Sequence, residues 1–153
     1  MSRGRLLLRM ELRSNPEMLC VVRGALGQLA ECLGFPEPER RAVVLAVDEA
    51  LTNIIRHAYQ GRTERPIEAC FRQIQVARER LRREALEIVL EDQGATVDRT
   101  KLRGRPLEEV RPGGLGLHFI RQSMDKVEFR RRNGKNQLRL VKLFCVPQPG
   151  NGC

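Results

Sequence analysis

Three groups of residues in this 153-residue chain have the types and spacing to do chemistry. Glu49 and Asn53 stand four apart, so on a helix they share one face. They lie among Leu45, Ala46, Val47, Ala50, Ile54 and Ile55. A carboxylate and a carboxamide on so apolar a segment need partners, because burying either one alone is costly. Asn53 can give one oxygen to Mg²⁺, an ion that keeps few protein ligands and fills its shell with waters and nucleotide phosphates. Glu49 can orient or deprotonate an attacking hydroxyl. Spacing alone favours an exposed, solvated pair on the outer side of the helix. The second group is Asp92-Gln93-Gly94, at the end of the apolar run Leu86–Leu90. A carboxylate emerging there can accept a hydrogen bond from an adenine amino group, and the glycine lets the backbone turn close to a flat base. An ordinary strand-ending turn uses the same residue types. The third is Gly113-Gly114-Leu115-Gly116-Leu117. Glycines that open a helix leave bare N–H groups at its positive end, where a triphosphate fits. Arg111, just before, can add a charge-assisted contact to a phosphate. A hinge followed by a tightly packed helix start has the same composition.

The elements that must position these groups follow from patterning. Leu6 to Leu12 alternates imperfectly and reads as a strand. Ser14-Asn15-Pro16-Glu17 reads as a helix start, with Ser14 as cap and Glu17 three residues on as in a capping box; the helix runs to about Leu33 and stops at Gly34. Pro36-Glu37-Pro38-Glu39 starts a second helix that continues through Tyr59, with Val43, Val47, Ala50, Leu51, Ile54 and Ala58 as its apolar stripe and Gly61 as its end. Ile67 to Val76 and Leu86 to Leu90 form a hairpin across the polar turn Arg78 to Arg83. Gly94 to Gly113 has no period and carries Gly104, Pro106 and Pro112; a segment this long inside a small domain works as a lid or binding loop. A short helix from Leu115 to Met124 follows. A second hairpin then pairs Val127–Arg131 with Leu138–Phe144 across Asn133-Gly134-Lys135-Asn136. Hairpin-linked strands with the helices gathered on one face predict an α+β fold: a two-layer α/β sandwich with a mixed, mostly antiparallel sheet. One domain is expected over residues 1–146, with 147–153 as a tail.

The order of these motifs is more specific than any one of them. A helix with E-x-x-x-N, a strand ending in D-x-G, a long lid and G-G-L-G-L opening a helix together resemble the histidine-kinase-like (GHKL, Bergerat-type) ATP-binding fold. That fold is shared by histidine kinases, gyrase-type ATPases and a class of heat-shock chaperones. Within the group the chain is similar to the stand-alone anti-sigma regulatory serine-protein kinases. The likeness is carried by Asp48-Glu49-Ala50-Leu51-Thr52-Asn53-Ile54-Ile55-Arg56-His57-Ala58-Tyr59 and, more distinctively, by the stretch from Gly113 to Val127. It extends from Leu6 to Phe144. The resemblance implies that Asn53 binds Mg²⁺, Glu49 is the catalytic carboxylate, Asp92 reads adenine and Gly94 shapes the base pocket. It further implies that Gly114, Leu115, Gly116 and Leu117 line the ATP phosphates. It also implies a partner-switching kinase that holds a sigma factor inactive, phosphorylates a serine on a STAS-domain anti-anti-sigma protein, and forms a homodimer. A binding module that uses ATP to shape an interface, with little turnover, is the alternative. The chain departs from its relatives after Gly94, where Ala95-Thr96-Val97-Asp98 keeps the acid at 98 but not the residues before it.

Composition narrows the setting. Hydrophobic residues make up 41 % of the chain, enough for a core, with no Trp and an aliphatic bias. No apolar run approaches the ~20 residues that span a bilayer, and Leu6-Leu7-Leu8 is too short for a signal peptide; a cytoplasmic protein is expected. The five cysteines Cys20, Cys32, Cys70, Cys145 and Cys153 include no C-x-x-C pair and are expected to be reduced and mostly buried. The formal charge of +9 comes mostly from scattered Arg, densest at 78–83 and 130–132, without interleaved aromatics. That favours a solvated basic surface, or a surface for an acidic protein partner, over direct nucleic-acid binding. His57 and His118 read as structural helix residues.

Overall fold

A computed structural model describes residues 4–78, 81–95 and 114–145. Five strands form one sheet in the order β1-β2-β3-β5-β4, where β1 is Arg5–Arg13, β2 Pro66–Arg78, β3 Leu81–Asp92, β4 Lys126–Arg132 and β5 Lys135–Phe144. Every pairing among the described strands is antiparallel, so the expected mixture resolves to an antiparallel sheet. The helices α1 (Leu19–Cys32), α2 (Glu37–Asn53) and α3 (Gly114–Ser123) supply the second layer.

Strand alternation decides which face is covered. Ile67, Ala69 and Phe71 of β2, Leu86, Ile88 and Leu90 of β3, and Leu138 and Leu140 of β5 point to one face and join Leu26, Val43, Val47, Leu51 and Ile120 of the helices in a single core. Residues of the opposite parity carry charge. Glu87 is buried there against Arg139 at 2.6 Å, and Arg139 also reaches Glu128 at 2.8 Å. A smaller apolar patch of Ile74, Ala85 and Val141 lies on this second face.

The apolar run Leu6-Leu7-Leu8 that spoils the alternation of β1 is a register shift between Leu6 and Leu8. α1 and α2 pack as an antiparallel hairpin, tied by Arg23 to Asp48 at 2.6 Å and Arg40 to Glu31 at 3.3 Å. Gly34, at φ +85°, terminates α1 as the sequence predicts. Ser14 is not the cap. Asn15 accepts the Glu17 N–H at 3.0 Å ahead of a 3₁₀ turn over Pro16–Met18, which precedes α1. Ser14 is fully buried: its hydroxyl accepts the Arg65 N–H at 3.1 Å and donates to the Arg62 carbonyl. Adjacent residues thus divide the work, one starting the helix and one closing the segment before β2 onto the end of β1.

The first hairpin is longer than expected, with Arg78 paired to Leu81 where the sequence reads as turn. Gln73 and Gln75 both donate to Glu84, so polar pairs hold the extended ladder. The second hairpin turns at Asn133 (φ +51°) and Gly134 (φ +76°), as a tight primed turn requires. The cysteines depart from expectation: Cys20, Cys32 and Cys145 are exposed and only Cys70 of the four described is buried. The two helical thiols fall on the solvent stripe of an amphipathic helix. No helix among the described residues is long and apolar enough to cross a membrane.

Candidate active site

Helix α2 carries Glu49 and Asn53 in its last two turns, and both side chains are half-buried. Directly after Asn53 the α-helix gives way to a π-helical turn over Ile54–Ala58, closed by the Tyr59 N–H to the Ile54 carbonyl at 2.9 Å. The sequence reads as continuous helix to Tyr59; the wider turn depends on what packs around it, and such turns recur at functional sites. It ends in Gln60 (φ +53°) and Gly61 (φ +78°).

Two close backbone approaches bring the other motifs onto this helix. Gly116 of α3 is buried against Glu49: a Cβ at 116 would lie 2.5 Å from both Cγ and Cδ of Glu49 and nearer still to Oε1. Gly94 lies on the end of the π-turn, where a Cβ would sit 2.5 Å from the Ala58 carbonyl oxygen. The Ala95 N–H donates to that same oxygen at 3.0 Å. The structure therefore brings Glu49 to the start of α3 and the strand-end turn to the end of α2. At Gly94 a Cβ would meet backbone, so the contact requires the glycine; at Gly116 it would meet the Glu49 side chain, which would have to move aside.

Asp92 is 5 % exposed. Its Oδ1 accepts the Gly94 N–H at 2.8 Å and the Asn136 Nδ2–H at 2.8 Å, which leaves Oδ2 as the oxygen open to a ligand. Burial pushes the carboxyl above the usual aspartate range, while the two N–H donors pull it back. Tyr59 buttresses the same turn: its hydroxyl accepts the Gln93 N–H at 2.8 Å and donates to the Pro66 carbonyl at 2.5 Å.

Gly114, Leu115, Gly116 and Leu117 all lie in the first turn of α3, and Leu117 packs on the core. Arg111, Gly113, Asp98 and most of the expected lid fall at 96–113, outside the described residues, as does the tail. His57 and His118 are exposed. Sequence reasoning missed Tyr59 and Asn136. Tyr59 reads as the last residue of a helix. Asn136 reads as part of a turn, and only the register that sets it opposite Asp92 reveals it.

A metal fits this donor set. None of the hydrogen bonds among the described residues engages the Asn53 carboxamide. Those residues also contain no cluster of three or more His, Cys, Asp or Glu side chains. An ion beside Asn53 would take most of its ligands from phosphate and water, which suits Mg²⁺.

The sequence profile of the histidine kinase-like ATPase domain matches residues 12–142. Over 136 residues the chain is 27 % identical to the serine-protein kinase RsbW of Bacillus pumilus, covering 84 % of this chain and 80 % of that protein. It is 30 % identical over 136 residues to the serine-protein kinase RsbW of Halalkalibacterium halodurans, covering 83 % and 77 %. Among solved structures, the fold is similar to the RsbU and RsbW domains of a Mycobacterium tuberculosis protein, with TM-score 0.59 and 13 % identity; the match covers 90 % of this chain and 33 % of that one. It is also similar to a chain of the SiaB–SiaC complex of Pseudomonas aeruginosa, with TM-score 0.56 and 18 % identity over 93 % and 92 % of the two chains. At these identities the two structures establish a likeness of fold.

Proposed function

This chain belongs to the histidine kinase-like ATPase domain family, and from that premise we propose that it is a Mg-ATP-dependent serine kinase acting as an anti-sigma factor in a partner-switching module. Its substrate is a serine of a STAS-domain anti-anti-sigma protein. Its other partner is a sigma factor or another regulated protein, and it works as a cytoplasmic homodimer. The observation that carries the reading is the seat of Glu49 against Gly116, which sets a carboxylate beside the helix start where a terminal phosphate would lie.

The roles follow from chemistry. Asp92 accepts the adenine amino group through Oδ2, and Gly94 lets the backbone lie close to the base. Gly114, Leu115, Gly116 and Leu117 present the N-terminus of α3 to the phosphates, with Arg111 adding charge. Bound Mg²⁺ would neutralise charge on the phosphate oxygens, with the Asn53 carboxamide oxygen as its protein ligand. Phosphoryl transfer then rests on positioning and electrostatics. The serine oxygen attacks the γ-phosphorus, the bond to the β-phosphate oxygen breaks, and the hydroxyl proton passes to the Glu49 carboxylate.

The test is transfer from γ-labelled ATP to the cognate STAS-domain protein. Label should appear on one serine and vanish when that serine is replaced by alanine. ATP binding without label on any cognate STAS protein would make the chain an ATP-gated binding module. Salt-sensitive DNA binding without ATP affinity would overturn the assignment altogether.

A further inference from the structure

The basic run Arg130-Arg131-Arg132 has no part in the function above, yet one member of it reaches Asn136 and the turn at Gly94. Arg131, Asn136 and Asp92 are successive cross-strand partners on β4, β5 and β3, in one row at the end of the sheet. Arg131 donates to the Asn136 Oδ1 at 2.6 Å and to the Gly94 carbonyl at 3.3 Å. A guanidinium only donates, so Asn136 must turn its oxygen toward Arg131 and its NH₂ toward Asp92. That NH₂ then serves Asp92 Oδ1 at 2.8 Å and the Ala95 carbonyl at 3.1 Å, with the Gly94 carbonyl at 3.4 Å. The row thus fixes both the carboxylate and the turn that passes over Ala58.

We propose that Arg131 and Asn136 are positioning residues that make the pocket selective for a 6-aminopurine, by holding Asp92 as an ionised acceptor with Oδ2 turned to the base. This inference rests on the reading of Asp92 as the adenine contact. An ionised carboxylate accepts from a 6-amino group and has nothing to offer a 6-oxo group. A protonated one can donate to the 6-oxo group, and burial already favours protonation. Among the described residues, the charged and titratable groups facing Asp92 are Arg131 across the sheet, Glu91 beside it on β3 and the Tyr59 phenol beyond α2. Asn136 and the Gly94 N–H are the neutral donors that hold the charge in place.

The experiment compares ATP with inosine triphosphate, which carries a 6-oxo group, by titration calorimetry with Mg²⁺ present. The wild-type chain should prefer ATP. Asn136→Leu should weaken ATP by about tenfold to a hundredfold, the worth of a hydrogen bond to a charged group, and weaken inosine triphosphate far less. The ATP preference of that variant should recover as pH rises and Asp92 ionises. In the kinase assay its KM for ATP should rise while kcat at saturation holds. Arg131, being exposed, gives a second variant that spares the core: Arg131→Met should narrow the preference and Arg131→Lys should keep most of it. A wild-type chain that prefers ATP, with a ratio unmoved in both Asn136→Leu and Arg131→Met, overturns the inference alone. A wild-type chain that binds neither nucleotide takes the base pocket and the inference down together.

Discussion

Glu49→Gln is expected to reduce label transfer by about 10²- to 10⁴-fold, the usual contribution of a general base, with ATP affinity held within about threefold of wild type. The expectation rests on shape as well as charge. Glutamine has the outline of glutamate, so the contact between residue 49 and Gly116 survives and the start of α3 keeps its place. Only the basic oxygen is lost. Binding and transfer therefore separate in this variant, and single-turnover transfer from γ-labelled ATP beside an equilibrium titration reads both. Transfer that persists at the wild-type rate would remove Glu49 from the chemistry and leave it a packing residue.

Gly94→Ala is expected to act in the opposite way, damaging binding and fold together. A Cβ at this position meets the Ala58 carbonyl oxygen at 2.5 Å and the Ala58 carbonyl carbon and Cβ at 2.6 Å. These are atoms of a helix end packed in the core, not the tip of a mobile side chain. The turn must lift off α2, which breaks the Ala95 N–H to Ala58 bond and pulls the Gly94 N–H from Asp92. Overpacking of this kind costs about 1–3 kcal/mol of stability. ATP affinity should fall by more than about tenfold as the acceptor loses a donor. Urea denaturation and nucleotide titration of the same preparation check both effects. Unchanged stability together with unchanged affinity would show that the turn does not sit on Ala58.

The two glycine contacts also mark how far the sequence could be read. Glycine at 94 and 116 announces that something comes close, and the E-x-x-x-N pair announces a polar face on an apolar helix. Local pattern carries these signals, so the three motifs, both hairpins and the two-layer arrangement were legible. What stayed hidden depends on register and on packing across the sheet. Asn136 sits in a polar turn by sequence, and its role exists only because β5 runs antiparallel to β3 with residue 136 opposite 92. Arg131 differs from its neighbours Arg130 and Arg132 only by facing the helix side of β4. The π-turn after Asn53 has no residue signature, and the Tyr59 hydroxyl just beyond it bonds across the chain to Pro66 and Gln93. Ser14 and Asn15 are both good caps, and a long-range need for Ser14 decided between them. The exposed thiols of Cys20 and Cys32 show the same limit, because the average burial of cysteine says nothing about which stripe of a helix a given one occupies.

The most direct test of the shared nucleotide pocket is titration calorimetry of the chain with ATP, with and without Mg²⁺, for the wild type and Asn53→Ala. One ATP per chain is predicted. Mg²⁺ should tighten binding by about tenfold or more in the wild type, on the order of one charge-assisted contact, and should have little effect in Asn53→Ala. Absence of ATP binding in the wild type, or a Mg²⁺ effect that survives the loss of Asn53, would contradict the account.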